Sequence, residues 1–281
     1  MSEFKRIVNV IPLTRVKLSG PQIFTYEVPL AHYDQLRPGL LVEVPFGGRT
    51  VRAITSSSEM HRLPGEVRSL KVVQKLLGPA PVVTGRNLAL AEWLAGYYFV
   101  SLGLALKLMV PKIMKKSRQP DIVGFETSNP DFVLSEHQRQ AVAQIGNSLE
   151  KSKTFLLKGV TGSGKTEVYM QLIERVIGSG KQVIILVPEI SLTAQARERY
   201  ARRFGMEQIA LLHSQLSDSE RFWAWQQIRN GNKKIIIGPR SAIFAPVQDL
   251  GLIILDEEHD QSFKQFDQSP KYHARSVAEK L

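Results

Sequence analysis

A glycine-rich segment that ends in a lysine and a threonine lies near the middle of the chain. Residues 159–166 read Gly-Val-Thr-Gly-Ser-Gly-Lys-Thr and fit the P-loop pattern, in which glycines let backbone N–H groups approach phosphate oxygens. In this pattern we expect Lys165 to supply a positive charge to the β and γ phosphates of a nucleotide and the Thr166 hydroxyl to be a ligand for Mg²⁺. The predicted nucleotide-binding residues of this loop are Gly159, Thr161, Gly162, Ser163, Gly164, Lys165 and Thr166.

An acidic segment, 256–259, follows an apolar run at 252–255. Because the carboxyl ends of parallel strands meet at one edge of a sheet, we expect Asp256 to complete the Mg²⁺ site and Glu257 to polarise the attacking water. The alternative interpretation is a solvated acidic loop after a strand. Together the two segments predict nucleoside-triphosphate hydrolysis, with Lys165, Asp256 and Glu257 as catalytic residues, but they leave open what the energy drives.

The elements that must position these residues alternate along the second half of the chain. Apolar runs predict strands at 154–157, 183–187, 209–212, 234–237 and 252–255, and amphipathic spacing predicts helices at 165–177, 192–204 and 217–228. Strands that are apolar throughout indicate a parallel sheet with helices on both faces. The predicted fold class of this part is α/β.

The first half of the chain has a different pattern. Short β-branched or aromatic runs at 7–11, 24–28, 40–44, 51–55 and 70–77 are separated by Pro and Gly turns, which predicts a small β-rich barrel or sandwich. A helix is predicted at 87–99, with Thr84 or Asn87 as its cap. The predicted organisation is a β-rich domain at 1–110, a linker at 111–131, and an α/β domain at 132–281.

Positive charge is concentrated in the first part of the chain. Residues 1–120 contain 17 Lys and Arg against 7 Asp and Glu, a net charge of +10, whereas the rest of the chain is nearly neutral. A basic domain beside a neutral one predicts a polyanionic partner for the first domain. The alternative is that the surplus charge only keeps the protein soluble.

The composition excludes several classes of protein. There are no cysteines, so the chain has neither a disulfide framework nor a thiolate zinc site. The apolar run at 7–12 is too short for a signal peptide, and the run at 93–106 is too short to cross a bilayer. We therefore expect a cytoplasmic protein with no membrane partner.

Several segments resemble the superfamily 2 helicases, and among these the family of bacterial primosomal protein N′, the PriA replication-restart helicases. The resemblance rests on Gln138 within 134–142, the P-loop at 159–169, the segments 187–193, 213–221 and 237–244, the acidic segment 256–259, and the aromatic-rich stretch 260–275. It implies a RecA-like first motor lobe that uses ATP and Mg²⁺. It also implies that Gln138 contacts adenine and that Arg240 and Ser241 contact DNA phosphates.

The resemblance implies two groups of aromatic residues near DNA. Phe263, Phe266 and Tyr272 would lie near single-stranded DNA, with packing against the lobe as the alternative. The β-rich domain resembles the family's domain for a 3′ end at a stalled fork, which implies Tyr26 and Phe46 as base-stacking residues, with a core role as the alternative. The family commonly has Asp where this chain has Thr25. The resemblance therefore does not imply that this chain captures the 3′ hydroxyl.

The resemblance also defines what is expected to be missing. The linker at 111–131 is too short for the family's winged-helix domain, and the chain stops at Leu281, before the family's second motor lobe and zinc module. We expect an incomplete ATP-dependent 3′–5′ DNA helicase of replication restart that binds ATP and DNA without unwinding. Forked and single-stranded DNA, primosome proteins and single-stranded-DNA-binding protein are the implied partners. The alternatives are another superfamily 2 translocase and a fork-binding loader without motor activity.

Overall fold

The computed structural model describes residues 4–62, 70–120, 133–160, 162–188 and 194–281. The chain divides into two compact units, one formed by Met1–Ile113 with Gln265–Tyr272 and the other by Met114–Lys264 with His273–Leu281. Thr161, one of the predicted nucleotide-binding residues, lies outside the described residues, as does the 121–131 part of the predicted linker.

The first unit contains a five-stranded antiparallel sheet, so the β-rich prediction is confirmed. Its strands are β1 (Phe4–Pro12), β2 (Phe24–Glu27), β3 (Leu41–Phe46), β4 (Arg49–Arg62) and β5 (Lys75–Leu76), in the order β2-β1-β4-β3-β5. Gly47 and Gly48 form the two-residue turn between β3 and β4, with φ angles of 57° and 78°. Two successive positive φ angles are the requirement of a tight hairpin turn, which explains the paired glycines.

Alternating apolar side chains of this sheet form the core of the first unit. Val8 and Val10 of β1 and Val42 and Val44 of β3 are fully buried, and they pack in one cluster. Two helices follow the sheet, α1 (Gly85–Tyr97) and α2 (Leu102–Lys107). The Thr84 side chain accepts a hydrogen bond from the Asn87 amide, which confirms the predicted helix and identifies its cap.

The second unit is built on a four-stranded parallel sheet, as predicted. The strands are β6 (Gln182–Leu186), β7 (Ile209–Leu211), β8 (Ile235–Gly238) and β9 (Leu250–Leu255), in the order β7-β8-β6-β9. The helices are α3 (Glu136–Gly146), α4 (Lys165–Gly178), α5 (Ala194–Phe204), α6 (Asp218–Arg229) and α7 (Ala274–Lys280). The longest helix in the described ranges is α4, with 14 residues, and no helix there is long and apolar enough to cross a bilayer.

The strand predicted at 154–157 is wrong. The segment is irregular, and Leu156 is 78% exposed. An apolar run forms a strand only when its backbone hydrogen-bonds to a neighbouring strand. In the described sheet the edge strand β9 pairs only with β6, so residues 154–157 do not add a strand beside it. Leu157 instead packs against a small cluster formed by Val142, Val168 and Leu172.

A buried glutamine ties the start of the central strand β6 to two neighbouring segments. The Nε2 atom of Gln182 donates hydrogen bonds to the backbone oxygens of Ile228 and Lys233 at 2.9 and 2.8 Å. Its Oε1 atom accepts a hydrogen bond from the Gln248 amide at 2.8 Å. Since buried polar groups are costly when unpaired, this side chain fixes the end of α6 and the entry to β9 against β6.

Replacing Gln182 with leucine should lower the free energy of unfolding by about 1–3 kcal/mol, because it removes the side-chain hydrogen bonds to the buried carbonyls of Ile228 and Lys233 and to the Gln248 amide. Urea unfolding of the whole chain measures the change. The control is Gln140→Leu, since Gln140 is exposed and its side chain donates a hydrogen bond to Glu136 on the same helix. Equal stability of the two variants would contradict the role assigned to Gln182.

Candidate nucleotide-binding site

The P-loop adopts a conformation that glycine alone adopts without strain. Gly162 and Gly164 have φ angles of 80° and 79°, and Gly164 immediately precedes the first residue of α4. A Cβ atom on Gly164 would collide with the Nε2 atom of Gln138. The backbone can therefore turn tightly into α4, whose free N–H groups and positive dipole end face the loop.

Lys165, the first residue of α4, folds its side chain back over this loop. Its Nζ atom donates hydrogen bonds to the carbonyl oxygens of Gly159 at 2.7 Å and Val160 at 3.4 Å. The ammonium group thus lies over the loop at the positive end of the helix. That is the position in which it can meet the phosphates of a nucleotide.

Asp256 is held at the carboxyl end of the parallel sheet. Its backbone amide donates to the Leu186 carbonyl at 2.9 Å, which continues the β6–β9 ladder past the end of β9. Burial raises the pKa of the Asp256 carboxyl, and the adjacent Glu257 carboxylate raises it further. The charge of Lys165 and a hydrogen bond from the Tyr169 hydroxyl lower this pKa again. A cation beside Asp256 would therefore stabilise its ionised form.

Glu257 has a strained backbone and an accessible side chain. Its φ angle is 52°, in the left-handed region that non-glycine residues rarely occupy. About half of its side chain is exposed, and its Oε2 atom lies 3.9 Å from Nε2 of His259. The turn after β9 therefore buries Asp256 more than Glu257 and leaves the second carboxylate open to solvent.

One cavity of about 570 Å³ brings the predicted catalytic groups together. Its wall contains Val160, Gly162, Ser163, Gly164, Lys165, Thr166, Glu167, Met170, Arg199, Asp256 and Glu257. This volume lies in the usual range for small-molecule sites. The Thr166 hydroxyl and the Asp256 carboxylate are oxygen donors of the kind that Mg²⁺ prefers, so the wall fits a magnesium–nucleotide complex.

Gln138 does not line this cavity. It occupies the first turn of α3, where its Oε1 atom accepts from the Ser135 amide at 2.8 Å and its Nε2 atom donates to the Ser163 carbonyl at 3.1 Å. The side chain therefore joins the cap of α3 to the P-loop. Contact of Gln138 with adenine stays a prediction.

The two candidate DNA-stacking residues of the first unit differ in exposure. Tyr26 is 3% exposed, and its hydroxyl donates to the Pro45 carbonyl at 3.0 Å. This burial favours the core role that the sequence left open for Tyr26, and its stacking on a base stays a prediction. Phe46 is half-buried and meets Phe24 edge-on at a centroid distance of 4.9 Å. The exposed Thr25 hydroxyl donates to Asn9 Oδ1 at 2.8 Å.

The three aromatic residues of the stretch 260–275 that were predicted to lie near DNA differ in burial. Phe263 is 0% exposed and Tyr272 is 3% exposed, which favours the packing alternative for both, and their contact with DNA stays a prediction. Phe266 is 57% exposed and keeps an accessible ring. In this arrangement it is the one of the three that can stack on a base.

Arg240 and Ser241 lie in the short turn that follows β8. The Arg240 Nη1 atom donates to the carbonyl oxygens of Ser262 at 2.9 Å and Lys264 at 3.4 Å. Ser241 is exposed. The Arg240 guanidinium thus hydrogen-bonds to the backbone that follows the acidic segment 256–259. Its contact with DNA phosphate stays a prediction.

The structure brings to the site two residues, Tyr169 and Arg199, that are not among the residues predicted from the sequence. Tyr169 lies one turn after Lys165 on α4 and hydrogen-bonds to Asp256; burial and this carboxylate raise the pKa of its hydroxyl. Arg199 lies on α5 and lines the cavity. Helical spacing from Lys165 could have identified Tyr169, whereas the position of Arg199 depends on how α5 packs.

Comparison with known proteins gives two family matches. A family described as type III restriction enzyme, res subunit, matches residues 131–281, and a family described as 3′DNA-binding domain (3′BD) matches residues 13–111.

Curated relatives named replication restart protein PriA are similar to most of the chain. The Treponema pallidum protein is 40% identical over 264 residues, which are 91% of this chain and 39% of the relative. The Rickettsia felis protein is 36% identical over 269 residues, 95% of this chain and 40% of the relative. The Bacillus subtilis protein is 50% identical over 156 residues, 55% of this chain and 19% of the relative. The chain therefore spans at most about two fifths of the length of these relatives.

The burial of the aromatic-rich stretch can be tested by truncating two of its rings. Phe263→Ala should lower the free energy of unfolding by about 3–5 kcal/mol, because it empties a fully buried site. Phe266→Ala should change it by less than about 0.5 kcal/mol, because the ring is mostly exposed. Urea unfolding measures both, and an effect of equal size would contradict the packing described here.

Proposed function

Because the chain belongs to the family described as type III restriction enzyme, res subunit, we propose that residues 132–281 form the first lobe of an ATP-dependent motor that acts on DNA. The observation that carries this proposal is the single cavity that Lys165, Thr166, Asp256 and Glu257 line together. Residues of these types at the start of a helix and the end of a parallel strand suit phosphoryl transfer to water.

Each group has a defined task in this proposal. The amides at the start of α4 and the Lys165 ammonium hold the phosphates, while Thr166 and Asp256 hold Mg²⁺. When bound, Mg²⁺ neutralises charge on the phosphate oxygens. Glu257, the more exposed carboxylate, orients a water molecule and accepts its proton at a carboxylate oxygen. Tyr169 orients Asp256 through its hydroxyl group.

We further propose that the first unit directs this motor to DNA with a free 3′ end. Support comes from the match to a 3′DNA-binding domain, the net charge of +10 in residues 1–120, and relatives whose name refers to replication restart. In this proposal the substrates are forked and single-stranded DNA, and the motor belongs to a 3′–5′ helicase of replication restart. Primosome proteins and single-stranded-DNA-binding protein are the proposed partners.

Lys165→Ala should weaken binding of Mg²⁺–ATP by about 10- to 100-fold, because it removes charged hydrogen bonds to phosphate. Isothermal titration calorimetry on the full chain measures this affinity. The control is Lys153→Ala, which removes an exposed lysine outside the cavity wall. Unchanged affinity in Lys165→Ala would contradict the ATP site and favour a DNA-binding loader without motor activity.

The DNA preference is tested by comparing two nucleic acids of equal length and at one salt concentration. Forked DNA with a free 3′ leading strand should bind more tightly than duplex RNA, because the proposed target is an unpaired DNA end. Fluorescence anisotropy measures both affinities. Equal affinities would contradict fork recognition and favour another superfamily 2 translocase.

A further inference from the structure

An arginine from a neighbouring helix contributes to the wall of the nucleotide cavity. Arg199, on α5, lines the cavity whose wall also includes P-loop residues and the carboxylates of Asp256 and Glu257. Its side chain is exposed, and within the described ranges no acidic side chain lies within ion-pair distance of it. By contrast, Arg202 on the same helix pairs with Glu198 at 2.6 Å. Arg199 therefore brings to the cavity wall a guanidinium that has no direct ion pair among the described residues.

The packing of α5 fixes the direction in which Arg199 points. Tyr200 and Phe204 are buried in the core of the second unit, so this side of α5 faces the sheet. One turn after Arg199, the Arg203 side chain is only 8% exposed and its Nε atom lies 2.9 Å from Glu174 on α4. Its Nη2 atom lies 3.8 Å from Glu167, in the first turn of the same helix. Residues four apart share a helix face, so Arg199 and Arg203 both face α4.

The charges in the cavity wall show what Arg199 can do. Three carboxylates, those of Glu167, Asp256 and Glu257, lie in the wall with one lysine, Lys165. The carboxylates of Asp256 and Glu257 repel the negative charge that remains on a triphosphate with Mg²⁺ bound, and a further cation in the wall reduces this repulsion. A guanidinium matches phosphate oxygens with two parallel hydrogen bonds, which makes Arg199 suited to this task.

We propose that Arg199 binds the terminal phosphate of ATP and so lets the first lobe distinguish ATP from ADP. The inference rests on the ATP site proposed above. The terminal phosphate is the expected target because Arg199 shares the wall with Asp256 and Glu257, the proposed metal and water residues. Gln138, the residue expected at the base, lies outside that wall.

The test compares the affinities of Mg²⁺–ATP and Mg²⁺–ADP for the full chain by calorimetry. Arg199→Ala should weaken ATP binding by about tenfold, the effect of losing one charged hydrogen-bonding group, and ADP binding by less than about twofold. Arg199→Lys should retain part of the ATP affinity, because it keeps the charge but loses the two-pronged contact. Arg199→Gln preserves a polar side chain and serves if the alanine variant unfolds.

Arg202→Ala is the matched control, because it removes an arginine of the same helix that does not line the cavity. It should bind both nucleotides as the unmodified chain does. Unchanged ATP affinity in the folded Arg199 variants, or equal losses for ATP and ADP, would overturn the role of Arg199 alone. Failure of the unmodified chain to bind ATP would overturn the proposed function, and this inference with it.

Discussion

The hydrogen bond from the Asp256 amide to the Leu186 carbonyl fixes the geometry on which the rest of the site depends. It extends the pairing of β6 and β9 by one step and so carries a carboxylate past the end of a parallel sheet. The carboxylate lies partly buried beside Lys165 and Tyr169, where burial raises its pKa and the two neighbours lower it. A site of this kind favours a bound cation, and the P-loop across the cavity favours an anion. A magnesium–nucleotide complex satisfies both demands.

Polar contacts buried between elements hold this geometry in place. Gln182 joins β6 to the end of α6 and the entry to β9, and Arg203 joins α5 to Glu174 on α4. Losing such a contact costs free energy because the Gln182 side chain and the Arg203 guanidinium are largely buried, so these links favour one arrangement of the elements. The P-loop helix, the central strand and α5 therefore form a rigid frame. Rigidity matters because phosphate-binding groups act by being positioned before the nucleotide arrives.

Local pattern predicted most of the fold and the main residues of the site. The P-loop helix beginning at Lys165 and the acidic turn after β9 follow from short segments whose residue types restrict the backbone. The strand predicted at 154–157 does not form, because an apolar run does not by itself show whether a neighbouring strand is available for pairing. Burial of Phe263 and the approach of Arg199 to the cavity depend on tertiary packing, which sequence spacing alone does not encode.

Amide hydrogen exchange on the full chain, measured with and without Mg²⁺–ATP, tests most directly whether the P-loop and the acidic turn form one nucleotide site. We expect the nucleotide to slow exchange both at 162–167 and at 256–257, because one ligand would contact both walls of the cavity. We also expect Lys165→Ala to abolish both effects together. Nucleotide binding that protects neither segment, or only one of them, would show that the P-loop and residues 256–257 do not form one nucleotide site.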